Sequence, residues 1–380
     1  MKLSKRNYGV SPASSIAQNE LVYESISVGN NPIILSYGEV QFSIPNIDFA
    51  TLDHNKSAHY SESQGVPEFR DEIANYHNLS YGTNITKSNI VISAGSKILS
   101  YLTCLTCLDE GDQVLLHEPA WVSYQEHARL AGATVQFMPY DAAIKDLESY
   151  LDQYENIKMF VLNNPNNPRG YIYTKNEIII AANICLKRGV FLLVDESYSD
   201  FCEYGMFFSA GNLVNDHENV VVLNSISKNF GLSGWRIGCS ISSCDFVHAL
   251  NKFNQHLITC APTILQMALI GKLIGLKSII KPEIQEILDK RDKVLTLLDS
   301  HKIPYLSGSA TFYVFIDVSN WITNTKDFCE NLLRFYNVSV IPGGAYGKST
   351  SSFLRISFGV EPMERIEEGI TIMLRELKKK

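Results

Sequence analysis

The chain has 380 residues, 45% of them hydrophobic, and a formal net charge of −7. That length buries a substantial core and suits two lobes, while dispersed acidic and basic residues argue against a nucleic-acid surface. Eight cysteines scattered over the chain make no disulfide framework, nine histidines show no metal-ligand spacing, and no apolar run reaches membrane-spanning length.

The opening stretch MKLSKRNYGVSPASS lacks the apolar centre of a signal peptide, so a cytoplasmic protein is expected. Residues 1–45 read as a short helix, a loop and a strand entering LSYGEVQFSIP. Helix 67–78, strand 89–93 and helix 96–108 follow. Cys104 and Cys107 form a CxxC inside the last of these, but Leu102 and Leu105 make the pattern apolar and helical. Core thiols are expected there rather than a redox or zinc pair. Next come strand 113–116, helix 123–131, strand 134–138, an amphipathic stretch around 145–154 and strand 159–163. Helix 175–188 leads to strand 190–194, and strand 220–223 enters a Gly-rich loop. Strands alternating with helices predict an α/β fold with a mostly parallel sheet covered on both faces.

The texture changes after Cys260. A long helical region, 263–300, is expected to break or kink near Pro282, beyond which Ile284, Ile287, Leu288, Val294, Leu295 and Leu298 form one stripe. Strands 311–316, 338–341 and 353–358 precede a last amphipathic helix carrying Ile366, Ile370, Met373, Leu374 and Leu377. The expected organisation is a segment 1–45 packing with a small α+β domain, 276–380, and a large domain, 46–275.

The stretch SISKNFGLSGWRIG, Ser225 to Gly238, is the most telling. A lysine in so Gly-rich a loop makes sense if the Lys228 amine must be held ready to react with a carbonyl. Ser225 and Arg236 would flank it as a phosphate-gripping hydroxyl and guanidinium. The plainer alternative is a surface loop with an ordinary lysine.

Four more stretches put polar groups at strand ends, where open α/β sheets bind ligands. Gly95, Ser96 and Lys97 follow a strand and open a helix, an arrangement that suits a phosphate or simply makes a turn with Ser96 as N-cap. Trp121, after Pro119, is either core or a stacking partner for a planar ring, and Tyr124 either its neighbour or core. In NNPNNPRG two Asn-Pro steps stiffen a loop, so that Asn167 either caps a turn or donates to a ring oxygen. Asp195 ends an apolar strand where an unpaired carboxylate is costly. It either starts a turn or pairs with a protonated ring nitrogen, and Tyr198 could reach the same ring oxygen as Asn167.

SxSKxxGxxGxRxG is the pattern of Ser225–Gly238, and with Gly95-Ser96-Lys97, Trp121, Asn167, Asp195 and Tyr198 it resembles class I/II aminotransferases. SPASS, HYSESQGVPEFRDEIA, PAWVSY and SGWRIG look most like the prokaryotic aspartate-aminotransferase subgroup. The resemblance implies fold type I, with a seven-stranded, mostly parallel sheet in the large domain, and pyridoxal phosphate as cofactor. It implies Lys228 as the Schiff-base lysine and general base, and Asp195 on the pyridine nitrogen. Gly95, Ser96, Lys97, Trp121, Asn167, Tyr198, Ser225 and Arg236 would hold the cofactor. Arg355, in SSFLRISFG, would grip the substrate α-carboxylate, with Gly38 and Asn167 beside it. Tyr60 would reach the other subunit's phosphate in a homodimer with shared active sites. Lys97 would meet a distal carboxylate or remain a solvated first-turn lysine.

Two departures stand out: Arg169 in NPRG where the family usually has NPTG, and Ala310-Thr311 where it more often has Gly-Ala. The implied activity is transfer of an amino group between an α-amino acid and a 2-oxo acid. A C–S β-lyase or cyclising enzyme of the same fold is the alternative, and a non-catalytic ligand sensor a more distant one.

Overall fold

Residues 2–10 and 12–379 are described in the structure, a computed structural model; Ser11, in the SPASS stretch, lies outside them. Helices Lys5–Gly9 and Ser14–Ser27 open the chain, followed by the two-residue strand β1 (Ile33–Ile34). The expected strand in 35–45 does not form. Its backbone groups are turned to single, divergent partners: Leu35 exchanges bonds with Ser339 and Ser357, and Gln41 donates to Gly359.

Seven strands then build the main sheet: β2 (Ile90–Ser93), β3 (Gln113–His117), β4 (Thr134–Met138), β5 (Ile157–Asn163), β6 (Phe191–Asp195), β7 (Val220–Ser225) and β8 (Gly238–Ile241). Their order is β2-β8-β7-β6-β5-β3-β4, with β8 antiparallel to both neighbours and the other pairs parallel. Alternate residues of one strand enter different cores. Leu192, Val194, Val220 and Val222 pack on one face, whereas Leu193, Val221 and Leu223 pack on the other with Leu99, Tyr124 and Phe246. Both faces are covered, which is why these strands read as unbroken apolar runs.

Strand β8 and helix Cys244–Leu257 are additions to the sequence expectation. The strand is Gly-Cys-Ser-Ile, poor in β-formers. The helix did carry a signal: Ser243 caps Phe246 N–H at 3.4 Å, and Phe246, Val247, Leu250 and Asn254 are buried.

The expected break at Pro282 is a correction. The proline sits inside one helix, Leu273–Ser300, and the break falls before it, with an 81° bend from helix Thr263–Leu269. Gly271 makes the bend at φ +72°, a conformation glycine adopts without strain, and Glu72 accepts from the Leu273 N–H at 2.9 Å. Ile280, Ile284 and Ile287 are buried on both sides of Pro282, and their packing offsets its missing hydrogen bond. No single helix among the described residues is long and apolar enough to cross a membrane.

The remaining strands are β9 (Tyr313–Asp317), β10 (Val338–Ser339), β11 (Ile341–Pro342) and β12 (Phe353–Ser357). β11-β12-β9 form an antiparallel sheet, and β1 pairs in parallel with β10. Helix Thr325–Tyr336, absent from the sequence expectation, buries Phe328, Cys329, Leu332 and Leu333 beside this sheet. The CxxC lies in helix Ser96–Cys107, where burial pushes the Cys104 thiol up to about 12.

Candidate active site

A cavity of about 470 Å³ opens at the carboxyl ends of β6 and β7 and is bounded on its far side by Tyr37–Glu39, Tyr313 and Arg355. Lys228 and Asp195 both line it. The side chains that sequence reasoning held to be the reacting amine and its opposing acid therefore share one space.

Ser225 closes β7 and caps the single turn Ile226–Asn229, its hydroxyl accepting from the Ser227 N–H at 3.1 Å. That turn delivers Lys228, whose amine donates to the Gly38 carbonyl at 2.5 Å. Burial brings the amine down to about 8; Glu39 opposes the shift, and Arg236, Arg355 and Lys97 reinforce it. In the cofactor-free protein Lys228 should react with a small amine-directed reagent with a midpoint near pH 8, where an ordinary surface lysine needs about 10.4. Peptide mapping of the modified protein across pH measures this, and a midpoint above pH 10 would contradict the environment described. Between about 8 and 10.5 the unfolded chain holds more protons at this amine, so its contribution to stability rises with pH.

Asp195 ends β6 fully within the protein. Its carboxylate accepts from Tyr124 Oη at 2.7 Å, Ser197 N at 3.0 Å and Ser197 Oγ at 2.6 Å. Burial raises its pKa, and these bonds pull it back down. No lysine or arginine among the described residues forms an ion pair with it. Tyr124 is thus both core and acid-holder.

At one end of the cavity, Gly95 is the cap of helix Ser96–Cys107 at φ +93°. Ser96 is its first residue, so the expected serine cap is corrected: a side chain at 95 would collide with the Arg236 guanidinium, and glycine takes that place. Among the described residues Arg236 bonds the Ser233 and Ala94 carbonyls, at 2.8 and 3.3 Å. Ser96, Ser225, Ser227 and Arg236 face one another across the helix start. Hydroxyls, backbone N–H groups and a guanidinium that meets no carboxylate among the described residues are together suited to an anion. Lys97 is exposed, with its amine 5.4 Å from the centre of the Trp121 ring; Trp121 lines the same wall, half-buried.

The other end is organised by a row of polar groups. Tyr198 Oη lies 3.0 Å from Tyr313 Oη and accepts from Asn167 Nδ2 at 3.2 Å. Arg355 Nη1 donates to Asn167 Oδ1 at 3.5 Å, and Nη2 donates to the Ser36 carbonyl. Arg355 is buried, its Nε is without a partner, and no carboxylate pairs with it among the described residues. Its guanidinium lies over Tyr313 at 4.6 Å. Asn163 holds this loop from below, accepting from the Asn167 N–H at 2.7 Å and donating to the Asp195 carbonyl at 2.8 Å.

Gly38 lines the cavity, so all but one of the expected residues meet there or border it. Tyr60 does not: it is 86% exposed and off the cavity wall. Arg169 donates to the Ser307 and Tyr140 carbonyls, both at 3.1 Å, tying the asparagine loop to the segment before β9 and to the one after β4. Thr311 sits at φ +64°, unusual for a β-branched residue, with its N–H on the Phe201 carbonyl at 2.9 Å. Ser197, Asn163 and Tyr313 were missed in the sequence. Each lies within four residues of one that was named, but serine, asparagine and tyrosine are too common to stand out alone.

The doubly wound sheet thus gathers an amine, an acid without a cation and a guanidinium without an acid around one cleft at its carboxyl edge, the arrangement of a site for a small charged ligand. A profile described as Aminotransferase class I and II matches residues 33–371, and the chain belongs to that family. It is 30% identical to an aspartate aminotransferase of Pyrococcus horikoshii, over 92% of this chain and 93% of that protein. It is 29% identical to a probable aspartate/prephenate aminotransferase of Aquifex aeolicus, over 99% and 98% of the two chains. Among solved structures, the aspartate aminotransferase of Thermus thermophilus with maleate superposes with a TM-score of 0.89 at 25% identity, covering 99% of each chain. The protein is a transaminase, and its substrates are amino acids and 2-oxo acids.

Proposed function

We propose that this chain binds pyridoxal phosphate at Lys228 and uses it to exchange an amino group between an α-amino acid and a 2-oxo acid. The observation that carries the reading is the cavity shared by Lys228 and an Asp195 that has no cation of its own. The residues present fit the cofactor. Ser96, Ser225, Ser227 and Arg236 offer a phosphate its donors, Asp195 offers a ring nitrogen its counter-charge, and Asn167 and Tyr198 offer a ring oxygen two hydrogen bonds. When bound, the cofactor supplies an aldehyde carbon and an electron-withdrawing ring.

The chain's own residues do the rest. Arg355, with a buried guanidinium that lacks an acid, takes the substrate α-carboxylate and fixes Cα. Lys228 Nζ, neutral in part near pH 8, removes the Cα proton, and its ammonium form returns one. Tyr124 and Ser197 donate to Asp195 and so favour its ionised form, against the burial that raises its pKa. Tyr37–Glu39 and Arg355 restrict water on the open side.

Three further parts belong to this proposal. The chain divides into a segment 1–45, a large domain 46–275 and a small domain 276–380; the β1–β10 pairing and the bond from Ile34 N to Glu361 at 2.7 Å support the first assignment. It works as a homodimer in which Tyr60, exposed and off its own cavity, reaches the partner's phosphate. It acts in the cytoplasm.

A donor–acceptor matrix tests the reading: aspartate, glutamate, aromatic and basic amino acids, each with and without a 2-oxo acid. Amino transfer that requires the acceptor is expected. Pyruvate and ammonia released without an acceptor would favour the lyase alternative instead.

A further inference from the structure

We propose that the helix Leu273–Ser300 holds the two site tyrosines in register, with Lys277 and Asp200 as positioning residues for Tyr198 and Arg291 as the positioning residue for Tyr313. The proposal rests on the reading above, in which Tyr198 donates to a ring oxygen of the cofactor.

Lys277 Nζ pairs with Asp200 Oδ1 at 2.6 Å, and the Asp200 side chain is only 6% exposed. Tyr81 Oη donates to the same carboxylate at 2.9 Å and Tyr76 Oη also donates to it, while the Lys277 ammonium lies 4.8 Å from the centre of the Tyr81 ring and 5.1 Å from that of Tyr76. Asp200 stands two residues after Tyr198 on one turn, and its N–H donates to Asn229 Oδ1 at 3.2 Å, beside Lys228. Between them, Ser199 Oγ accepts from Asn224 at 3.1 Å and Asn229 at 2.9 Å and lies 2.8 Å from Tyr81 Oη. The turn that aims Tyr198 and the loop that aims Lys228 are therefore fastened to one charged, buried knot, and Lys277 is the part that the long helix contributes.

Fourteen residues further along the same helix, about 21 Å at the α-helical rise, Arg291 is buried at 2% exposure. It donates to the carbonyls of Tyr313 and Gly308. Tyr313 begins β9, and its hydroxyl meets that of Tyr198 at 3.0 Å. One rigid rod thus grips the backbone behind both hydroxyls. Desolvating a lysine, an aspartate and an arginine is costly, and apolar residues would pack these positions without that cost. A fixed separation of the tyrosines is what the charges add.

The readout is the pH midpoint of the visible band of the cofactor-loaded protein. Tyr198 competes for the ring oxygen, so a displaced Tyr198 lets the cofactor hold its shared proton more tightly and the midpoint rises. Asp200→Asn, Lys277→Met and Arg291→Lys should each raise it by about 0.5–1 pH unit, the equivalent of one hydrogen bond. Arg291→Lys keeps the charge but loses the two-carbonyl fork, and Lys277→Arg should restore most of the native midpoint. In a Tyr198→Phe background the shifts should vanish, because the group being positioned is gone. The proposal is overturned if Asp200→Asn and Lys277→Met move the midpoint in opposite directions, as bare charge removal would. It is equally overturned if their effects persist without the Tyr198 hydroxyl. Should Lys277→Met fail to fold, the near-isosteric Asp200→Asn and the charge-keeping Arg291→Lys carry the same test. Absence of a visible band in the unaltered protein would instead defeat the cofactor reading.

Discussion

Lys228→Ala is expected to remove the visible absorbance of the bound cofactor and to abolish turnover. The amine has two tasks in the proposed reaction, and alanine performs neither. Loss of proton transfer at Cα alone lowers a rate by about 10²–10⁴-fold, and loss of the covalent tether adds to it. The fold should survive. Lys228 makes one hydrogen bond, to the Gly38 carbonyl, and its charge is disfavoured by burial, so the variant should be at least as stable as the parent at neutral pH. Absorbance spectra, single-turnover kinetics and thermal melts measure the three quantities. Full transamination by the variant would contradict the role given to this residue.

Arg355→Met is the second large effect, and it acts through binding. A buried guanidinium lacking a carboxylate partner, with Nε unsatisfied, is costly to the fold until a substrate supplies the acid. Removing one member of a buried, hydrogen-bonded charge pair costs about 2–5 kcal/mol. With tenfold for each 1.4 kcal/mol, kcat/KM should fall by about 30-fold to several thousandfold, mostly through KM. The same change should raise the melting temperature by about 1–1.5 °C, since relief of about 1 kcal/mol acts against an unfolding entropy of about 2.1 cal/mol/K for each of the 380 residues. Steady-state kinetics and calorimetry test both halves, and an unchanged kcat/KM would end the assignment of this arginine to the α-carboxylate.

Much of this site was legible because its parts are local. Ser225, Lys228 and Arg236 fall in one loop, and Asp195 and Asn167 each follow an apolar strand, so their placement needs only the rule that such sheets bind at their carboxyl edge. Arg355 is different. Its neighbours Ser36 and Asn167 are 319 and 188 residues away, and only a family resemblance could connect them. Periodicity found most helices, but it assigned the bend to Pro282 when Gly271 makes it. A proline inside a helix is an energetic cost that buried isoleucines can offset, whereas a left-handed backbone at the glycine leaves the helix no way to continue. The knot around Asp200 was not legible at all. Its members come from four separate segments, and none of them is unusual in its own surroundings.

β12 is the middle strand of its sheet, with Arg355 opposite Phe315 on one side and Ile341 on the other. Consecutive side chains of a strand face opposite ways, so inserting or deleting one residue ahead of Arg355 would present Leu354 or Ile356 to the substrate instead. In the proposed reading the grip on the α-carboxylate is therefore encoded as parity: a strand miscounted by one would turn the guanidinium toward the core that Leu354 and Ile356 fill, and leave the cavity without it.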